Sequence, residues 1–431
     1  MSVLRPLLLF AVVAAVRALT AEACGQTSTP AATSGAGKKD SGEVSVSAPA
    51  NTTIGLDLVT EGAAAVRGGQ KRGETLYGQA IGHIEWKRPA TDGGLGLVAY
   101  ASAMSLVGNG PSARLLGNYF TATNIEGFDS TRLYSWWLQA RQDGWSIRAG
   151  ALLADEEFTG TTVGGYFINS AFGWPAFISA NTVNTGPAFY VAAPGIRWEH
   201  TLSRSAGIRI GIYDGDTFDS PEGDPRINRH GWHYDVGGRQ GWFVIGELEL
   251  ASPDKATRVK AGAWMHTGRF ADVATGATGK PFADALTAAR SYAGNYGIYG
   301  TIERTLAGES GKPGAIDGYV RAGAAPTDRN TVEWALDAGA AWTGPLPGRP
   351  ADIASLGFAQ ATFTPGFAQF RRRTAPDQPA PDFERLIELN YRLKLSDRLS
   401  VIPNAQYIWH PGGSTALPSA VALLLRITAT F

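Results

Sequence analysis

The stretch VALLLRITATF (residues 421–431) decides the fold, because apolar side chains stand at every second position from Val421 to Phe431. A period of two is that of an extended strand with one apolar face. Left at the edge of a sheet, such a strand exposes a row of unpaired backbone groups and promotes aggregation. We therefore expect another strand of the same chain to pair with it and to close the sheet.

The same alternation recurs along the chain, in segments that include 76–87, 242–250, 332–342 and 386–395. These segments run to about ten residues, whereas strands in globular proteins average about five or six. Their polar faces carry both signs of charge. Aromatic residues recur at the ends of their apolar faces, as in a membrane-interface girdle: Trp86, Trp242, Trp342, Tyr391 and Trp409.

These features predict an all-β fold, a closed antiparallel transmembrane β-barrel with lipid outside and water inside. The roughly 380 residues from 51 to 431, at roughly 20–25 residues per strand and turn, predict about 16 to 18 strands. A secreted array of β-sandwich domains is the alternative, because sandwich strands alternate as well.

The beginning of the chain predicts export. Arg5 precedes an apolar run that ends at Val16, and Ala21-Glu22-Ala23 is a cleavage site of the A-x-A type. We expect a signal peptide over 1–23, a flexible linker rich in Ser, Thr, Ala, Gly and Pro over 24–50, and the barrel over 51–431. Cys24, the only cysteine, excludes an internal disulfide. Lipidation of Cys24 is an alternative that Glu22 disfavours.

Composition and motifs argue against other classes of function. The chain has 38 basic and 38 acidic residues, and this balance argues against a nucleic-acid partner. It contains no G-x-S-x-G, P-loop or dinucleotide-binding fingerprint, so we expect neither an enzyme nor a cofactor. His230 and His233 could hold a metal by their spacing, and the acid-rich segment 214–224 could bind Ca²⁺ weakly. Both lack the further ligands of a metal site, and we interpret them as solvated loops.

Several long stretches resemble one protein family. They are FINSAFGWPAFISANTVNTGPAFYVAAPGIRWEH (167–200), NYGIYGTIER (295–304), VRAGAAPTDRNTVEWALDAGAAWTGPLPGRPAD (320–352) and the end from 386 to 431. In this order they resemble the carbohydrate-selective porins of the OprB type. The resemblance implies a 16-stranded barrel in the bacterial outer membrane that lets sugars diffuse into the periplasm without a cofactor. The expected partners are small sugars and outer-membrane lipid, and both a homotrimer and a monomer stay open.

Strand parity predicts which side chains face the lumen. Ile196 and Trp198 face lipid, so Arg197 and Glu199 face inward. The same rule places Arg148, Arg209 and Arg321 in the lumen. An arginine on the lipid face near the midplane would cost about 2–4 kcal/mol, which supports this placement. Both signs of charge suit the hydroxyl groups of a sugar.

The segment 154–175 is long for a turn and mixes acidic, glycine and aromatic residues. We expect it to fold partly into the lumen and to narrow the channel opposite Arg148, Arg197 and Arg321. The predicted narrowing residues are Asp155, Glu157, Phe167, Asn169 and Trp174. As alternatives, these residues form a lattice of lumenal salt bridges, and Trp174 beside Pro175 anchors the loop.

Two other functions fit the same fold. A general or anion-leaning diffusion porin would pass sugars incidentally. A barrel used as a scaffold for adhesion or export would use the segment 24–50 to tether a partner.

Overall fold

A closed barrel of sixteen strands forms the part of the chain that the computed structural model describes, namely residues 50–90, 93–220, 222–281 and 288–431. Every strand is antiparallel to its neighbours in sequence, and the last strand pairs with the first. The prediction of a closed antiparallel barrel with about 16 strands is therefore confirmed. The predicted signal peptide (1–23) and the linker (24–50), except for its last residue, lie outside the described residues.

The strands range from eight to twenty residues. They are β1 (Asn51–Arg67), β2 (Gly73–Arg88), β3 (Gly96–Gly108), β4 (Ser130–Gln142), β5 (Trp145–Leu152), β6 (Ala193–Ser203), β7 (Ala206–Asp214), β8 (Trp242–Ala251), β9 (Thr257–Gly276), β10 (Ala289–Ala307), β11 (Ile316–Ala324), β12 (Val332–Thr343), β13 (Ile353–Phe363), β14 (Phe383–Lys394), β15 (Leu399–Trp409) and β16 (Ala420–Thr430).

Helical segments are short and lie between strands. The α-helices are α1 (Ala176–Ser179) and α2 (Pro365–Thr374). A π-helical turn spans Ser112–Leu116, and 3₁₀ turns span Ala154–Glu156, Gly164–Tyr166, Ser170–Phe172, Val183–Thr185 and Pro411–Gly413. Within the described ranges, no helix has the length and apolarity needed to cross a membrane.

Side chains that alternate in the sequence point alternately to the outer and the inner face of the barrel wall. On β6, Ile196 and Trp198 are 56% and 36% exposed on the outside, while Arg197 between them is 3% exposed. On β16, Leu423 and Leu425 are exposed and Leu424 is buried. The apolar face therefore meets lipid and the polar face meets the lumen.

The seam between β1 and β16 closes the wall. Their ladder runs from Asp57 opposite Thr430 to Arg67 opposite Val421. Beyond the last strand residue, the Phe431 N–H donates to the Leu56 carbonyl at 2.9 Å. No edge is left open in hydrocarbon at this seam, which removes the liability that a terminal strand would otherwise present.

The two rims of the barrel differ. One rim carries short turns, such as 143–144 and 204–205, while the other carries long loops. Short turns face the periplasm and long loops face outward in barrels of this kind. We call the loop 153–192 the inner loop and the loop 109–129 the companion loop.

Candidate functional site

The inner loop crosses the lumen and is bonded to distant parts of the wall. Glu247 on β8 accepts a hydrogen bond from the Thr159 N–H at 2.9 Å. Glu388 on β14 accepts from the N–H groups of Ile168 and Asn169, at 2.7 and 2.9 Å. Carboxylates from opposite sides of the barrel thus satisfy the backbone donors of the loop, which would otherwise be unpaired.

Arg321 on β11 is the second anchor of the inner loop. Its guanidinium donates to the carbonyls of Thr159 and Gly173 at 2.9 Å and of Ala171 at 3.2 Å. It also forms a two-pronged ion pair with Asp337, at 2.9 and 3.0 Å. Arg321 is fully buried, so it holds the loop and offers no surface to a solute.

Aromatic rings of the inner loop pack onto glycines of the wall. A Cβ atom at Gly339 would lie 2.6 Å from the Phe167 ring, and one at Gly357 would lie 2.6 Å from the Phe172 ring. These two glycines face each other on β12 and β13. The missing side chains therefore create the space in which the loop is seated.

The companion loop covers the neighbouring part of the lumen. Glu384 on β14 accepts from the N–H groups of Tyr119 and Phe120, at 2.6 and 2.8 Å. The two loops are joined directly, because the Asn124 N–H donates to the Ile168 carbonyl at 2.7 Å. Together they narrow the channel.

Beside the inner loop, a ladder of opposite charges runs along the wall. Glu157 lies 2.6 Å from Arg148, 2.7 Å from Arg197 and 3.9 Å from Arg209. Glu199 lies 3.1 Å from Arg197 and 3.4 Å from Arg209. These five predicted residues are therefore in direct contact with one another.

The ladder continues on the next two strands. Lys260 on β9 lies 3.3 Å from Glu247 and 3.8 Å from Glu249. We call the whole set the charge ladder, and its members are Arg148, Arg197, Arg209, Lys260, Glu157, Glu199, Glu247 and Glu249. Four cations face four carboxylates, so the ladder has both signs of charge and no net charge.

A stack of aromatic rings supports one end of the charge ladder. The rings of His83 and Tyr100 stack at 5.8 Å, and those of Tyr100 and Trp137 stack at 5.1 Å. The Arg148 guanidinium lies 3.8 Å from the centre of the Trp137 ring. Both faces of Trp137 are therefore occupied, and the ring orients Arg148 toward Glu157.

Three predicted narrowing residues lie away from the open lumen. Phe167 and Asn169 are 2% and 1% exposed. The Asn169 side chain accepts from the Ala171 N–H at 2.9 Å and donates to Gln406 at 3.0 Å. Trp174 is partly buried and donates to the Thr185 carbonyl at 2.8 Å. In the structure these side chains seat the loop, since packing against the wall leaves Phe167 and Asn169 almost no surface.

The acidic start of the inner loop has two carboxyl groups whose pKa values are raised. Asp155 accepts from the Phe189 N–H at 2.9 Å, and burial raises its pKa to about 6. Burial and the neighbouring Asp155 charge raise the pKa of Glu156 to about 7. Part of the Glu156 side chain contacts channel water, while the surrounding protein removes the rest of its hydration and so raises its pKa.

Sequence reasoning missed several members of this site. Glu247 and Lys260 stand on the polar faces of alternating segments, so the parity rule could have placed them in the lumen. Trp137 follows Trp136 directly, and alternation alone does not say which of the two faces inward. Nothing in the spacing of the sequence indicated that Glu157 would be shared by three arginines.

No metal site accompanies the channel in the described ranges, where no three His, Cys, Asp or Glu side chains are grouped to hold an ion. In the acid-rich loop, Asp216 accepts from the N–H groups of Phe218 and Ser220, at 3.0 and 3.1 Å. Asp219 accepts from the Asp235 N–H and lies 3.1 Å from His233. These carboxylates organise the loop backbone.

Comparisons with known proteins place the chain in a family. The model of the carbohydrate-selective porin OprB family matches residues 93–431. A search of curated protein sequences finds no significant match.

Solved structures share the fold. The high-pH structure of Pseudomonas putida OprB has a TM-score of 0.77 at 17% identity, covering 88% of this chain and 94% of that one. An anion-selective porin from Comamonas acidovorans has a TM-score of 0.54 at 11% identity, over 89% of this chain and 100% of that one. The channel DcaP of Acinetobacter baumannii has a TM-score of 0.52 at 11% identity, over 89% and 97% of the two chains.

The family match spans the inner loop, the charge ladder and all strands from β3 onward. The family and the fold are those of a channel. The chain therefore belongs to the carbohydrate-selective porin family OprB, and it is a porin of the bacterial outer membrane through which sugars diffuse.

Proposed function

We propose that the channel favours small neutral sugars because the charges at its narrowing compensate one another. The observation that carries this proposal is the charge ladder, in which each of the four cations lies within 4.0 Å of a carboxylate. A sugar hydroxyl both donates and accepts hydrogen bonds. It can therefore accept from a guanidinium and donate to the adjacent carboxylate in the same position.

Arg148 and Arg209 are the residues that we propose as donors to the sugar, with Glu199 as the acceptor, while the buried Arg197 and Glu157 hold them in position. Arg148 and Arg209 are partly exposed, with 19% and 24% of their side chains accessible, and Glu199 is 39% accessible. When a sugar leaves, the arginine and glutamate pair with each other again. Each contact is therefore brief, as diffusion through a selective channel requires.

The same compensation argues against an anion-leaning pore. A net positive narrowing would concentrate anions and repel cations. The charge ladder has equal numbers of each sign, so we expect weak selectivity among small ions. A reversal potential measured across a KCl gradient tests this, and a strong preference for chloride would favour the anion-leaning alternative.

The decisive experiment compares solutes of similar size. Proteoliposome swelling is measured with glucose and with tetraethylene glycol, a flexible neutral solute without the ring of hydroxyls. We expect wild type to favour glucose, and we expect Arg148→Gln to lower the glucose preference about tenfold, as the loss of one charge-assisted hydrogen bond predicts.

Arg258→Gln is the matched control. Arg258 also stands on the lumenal face near an acid, 3.7 Å from Glu303, but outside the charge ladder. This variant should keep the wild-type preference. Equal preference for glucose in wild type and in Arg148→Gln would refute the proposed role of Arg148.

We infer further that one chain makes one conducting unit. The charge ladder is contributed by β5 to β9 and the inner loop of a single chain. A monomer and a homotrimer of such units are both compatible with this arrangement. Native mass spectrometry of the protein in detergent would distinguish them.

A further inference from the structure

An open groove runs along the outside of the barrel at the seam. Gly62 and Ala64 on β1 form its floor. Its walls are Leu76 on β2 and Leu423 and Leu425 on β16. The register explains the shape, because Gly62 stands between Leu425 and Leu76, and Ala64 stands next to Leu423. The groove encloses about 640 Å³.

No side chain of the protein fills the space above the floor of the groove. No heavy atom lies within 4 Å of the position where a Cβ of Gly62 would stand. The three leucines of the walls are 46% to 53% exposed, so they stand out on both sides. Strands lie about 4.8 Å apart, and the two walls are therefore separated by about 10 Å, which is the width of a single lipid chain with its contacts.

Cations gather directly above this groove, where β1 and β2 meet the long-loop rim. Arg67 ends β1, and Lys71 and Arg72 precede β2. All three are exposed, and none of them forms an ion pair with another described residue. Glu74, opposite Ala64, is the one acid at the upper end of the groove. Three cations and one carboxylate leave a local net charge of about +2.

The positions of the cations match the height of lipid headgroups. Outward side chains alternate along β2, so Glu74 continues the outward row of Leu76, and Arg72 comes directly before the strand. Gly62 lies five residues below Arg67, or about 17 Å of strand. The apolar part of the groove thus begins just beneath the charged rim, as hydrocarbon begins beneath a headgroup layer.

We propose that this groove binds a phosphorylated lipid of the outer leaflet. One acyl chain lies along Gly62 and Ala64 between the leucines, and the phosphate contacts Arg67, Lys71 and Arg72. Apolar burial and pairing of a basic patch with a lipid phosphate act together here, as in other membrane sites. A second copy of the chain fits less well, because a flat barrel wall cannot fill a groove one strand wide.

The test is native mass spectrometry of the intact protein in detergent with added bisphosphoryl lipid A, with phosphatidylcholine for comparison. We expect wild type to retain one lipid A molecule through mild activation and to retain phosphatidylcholine poorly. Arg67→Ala with Arg72→Ala should weaken retention about thirtyfold, since each cation near a lipid phosphate contributes a factor of about five. Gly62→Leu should block the groove and abolish retention.

Matched controls keep the outcome interpretable. Gly300→Leu adds the same side chain at an outward glycine on β10, between the exposed Ile298 and Ile302. Arg371→Ala with Arg372→Ala removes two exposed cations of α2 on the same rim. Both controls should retain lipid A like wild type, and a heat-modifiable band on a gel shows that each variant is a folded barrel.

Two results would overturn the proposal. One is equal retention of lipid A by wild type and by the folded Gly62→Leu variant. The other is a wild-type oligomer that Gly62→Leu converts to monomers without any change in bound lipid, which would assign the groove to a second copy.

Discussion

At the scale of single residues, the most consequential side chain is Glu157. It is contacted by three arginines that come from β5, β6 and β7. Only 8% of its side chain is exposed. Arginines this close would repel one another without it, so Glu157 fixes their spacing and thereby the pattern of donors along the wall.

Glu156, its neighbour, predicts a pH dependence of ion selectivity. Its pKa is raised to about 7 by burial and by the charges of Asp155 and Glu157. The group is charged above that pH and neutral below it. We expect the ratio of cation to anion permeability to fall about two- to fivefold between pH 8 and pH 6, as the loss of one lumenal charge predicts.

Reversal potentials at a series of pH values measure this effect. Glu156→Gln should show at pH 8 a cation permeability close to that of wild type at pH 6, and its permeability should change less with pH than that of wild type, since only Asp155 of the pair still titrates. A wild-type pH profile that survives unaltered in Glu156→Gln would show that other groups cause it.

At the scale of elements, the inner loop is held by packing as well as by charge. The ring centres of Phe167 and Phe172 lie 4.2 Å apart with the planes tilted by 32°, and the rings lie on Gly339 and Gly357 of the wall. Gly339→Val should push the ring of Phe167 off the wall and displace the loop, because the new Cβ would lie 2.6 Å from the ring. We expect a larger and noisier single-channel conductance from a barrel that still assembles.

Gly246→Ala is the control for that substitution. A Cβ there meets its first atoms only at 3.9 Å, on the outer side of β8. Conductance of this variant should equal that of wild type. If Gly339→Val also conducts like wild type, packing of Phe167 on Gly339 does not hold the inner loop in place.

The Arg321–Asp337 pair gives a second prediction for the inner loop. Removing only the guanidinium, in Arg321→Met, leaves Asp337 buried without its partner. We expect the free energy of unfolding, measured by urea titration in lipid vesicles, to fall by about 3–5 kcal/mol. The double replacement Arg321→Met with Asp337→Leu should lose less, because no uncompensated charge remains. A double variant that is less stable than Arg321→Met would contradict this account.

At the scale of the whole molecule, closure of the wall is the condition for insertion. Deleting residues 421–431 removes the partner of β1 and leaves two open edges in lipid. We expect no heat-modifiable barrel and complete digestion by added protease. Deleting residues 24–50 should leave a protease-resistant barrel, and loss of assembly in this control would mean that the segment is more than a linker.

The sequence predicted the wall well and the lumen only in part. A two-residue period is a local property, so Arg197 and Glu199 could be assigned to the lumen from their immediate neighbours. Burial of Phe167 depends on Gly339 and Gly357, which lie far away in the chain. The contacts of Glu157 with arginines on three strands likewise depend on how those strands are aligned in the barrel. These contacts between distant parts of the chain form only when the barrel closes. The alternation of residues along the sequence does not predict them.

The anchoring of the inner loop has a consequence for the direction of traffic. Its backbone is tied to β8, β11 and β14, so we expect an aperture of fixed size. A fixed aperture cannot act as a valve or a pump, so inward and outward passage obey the same resistance. Net uptake must then be set by consumption on the far side, which keeps the solute scarcer there than in the surrounding medium.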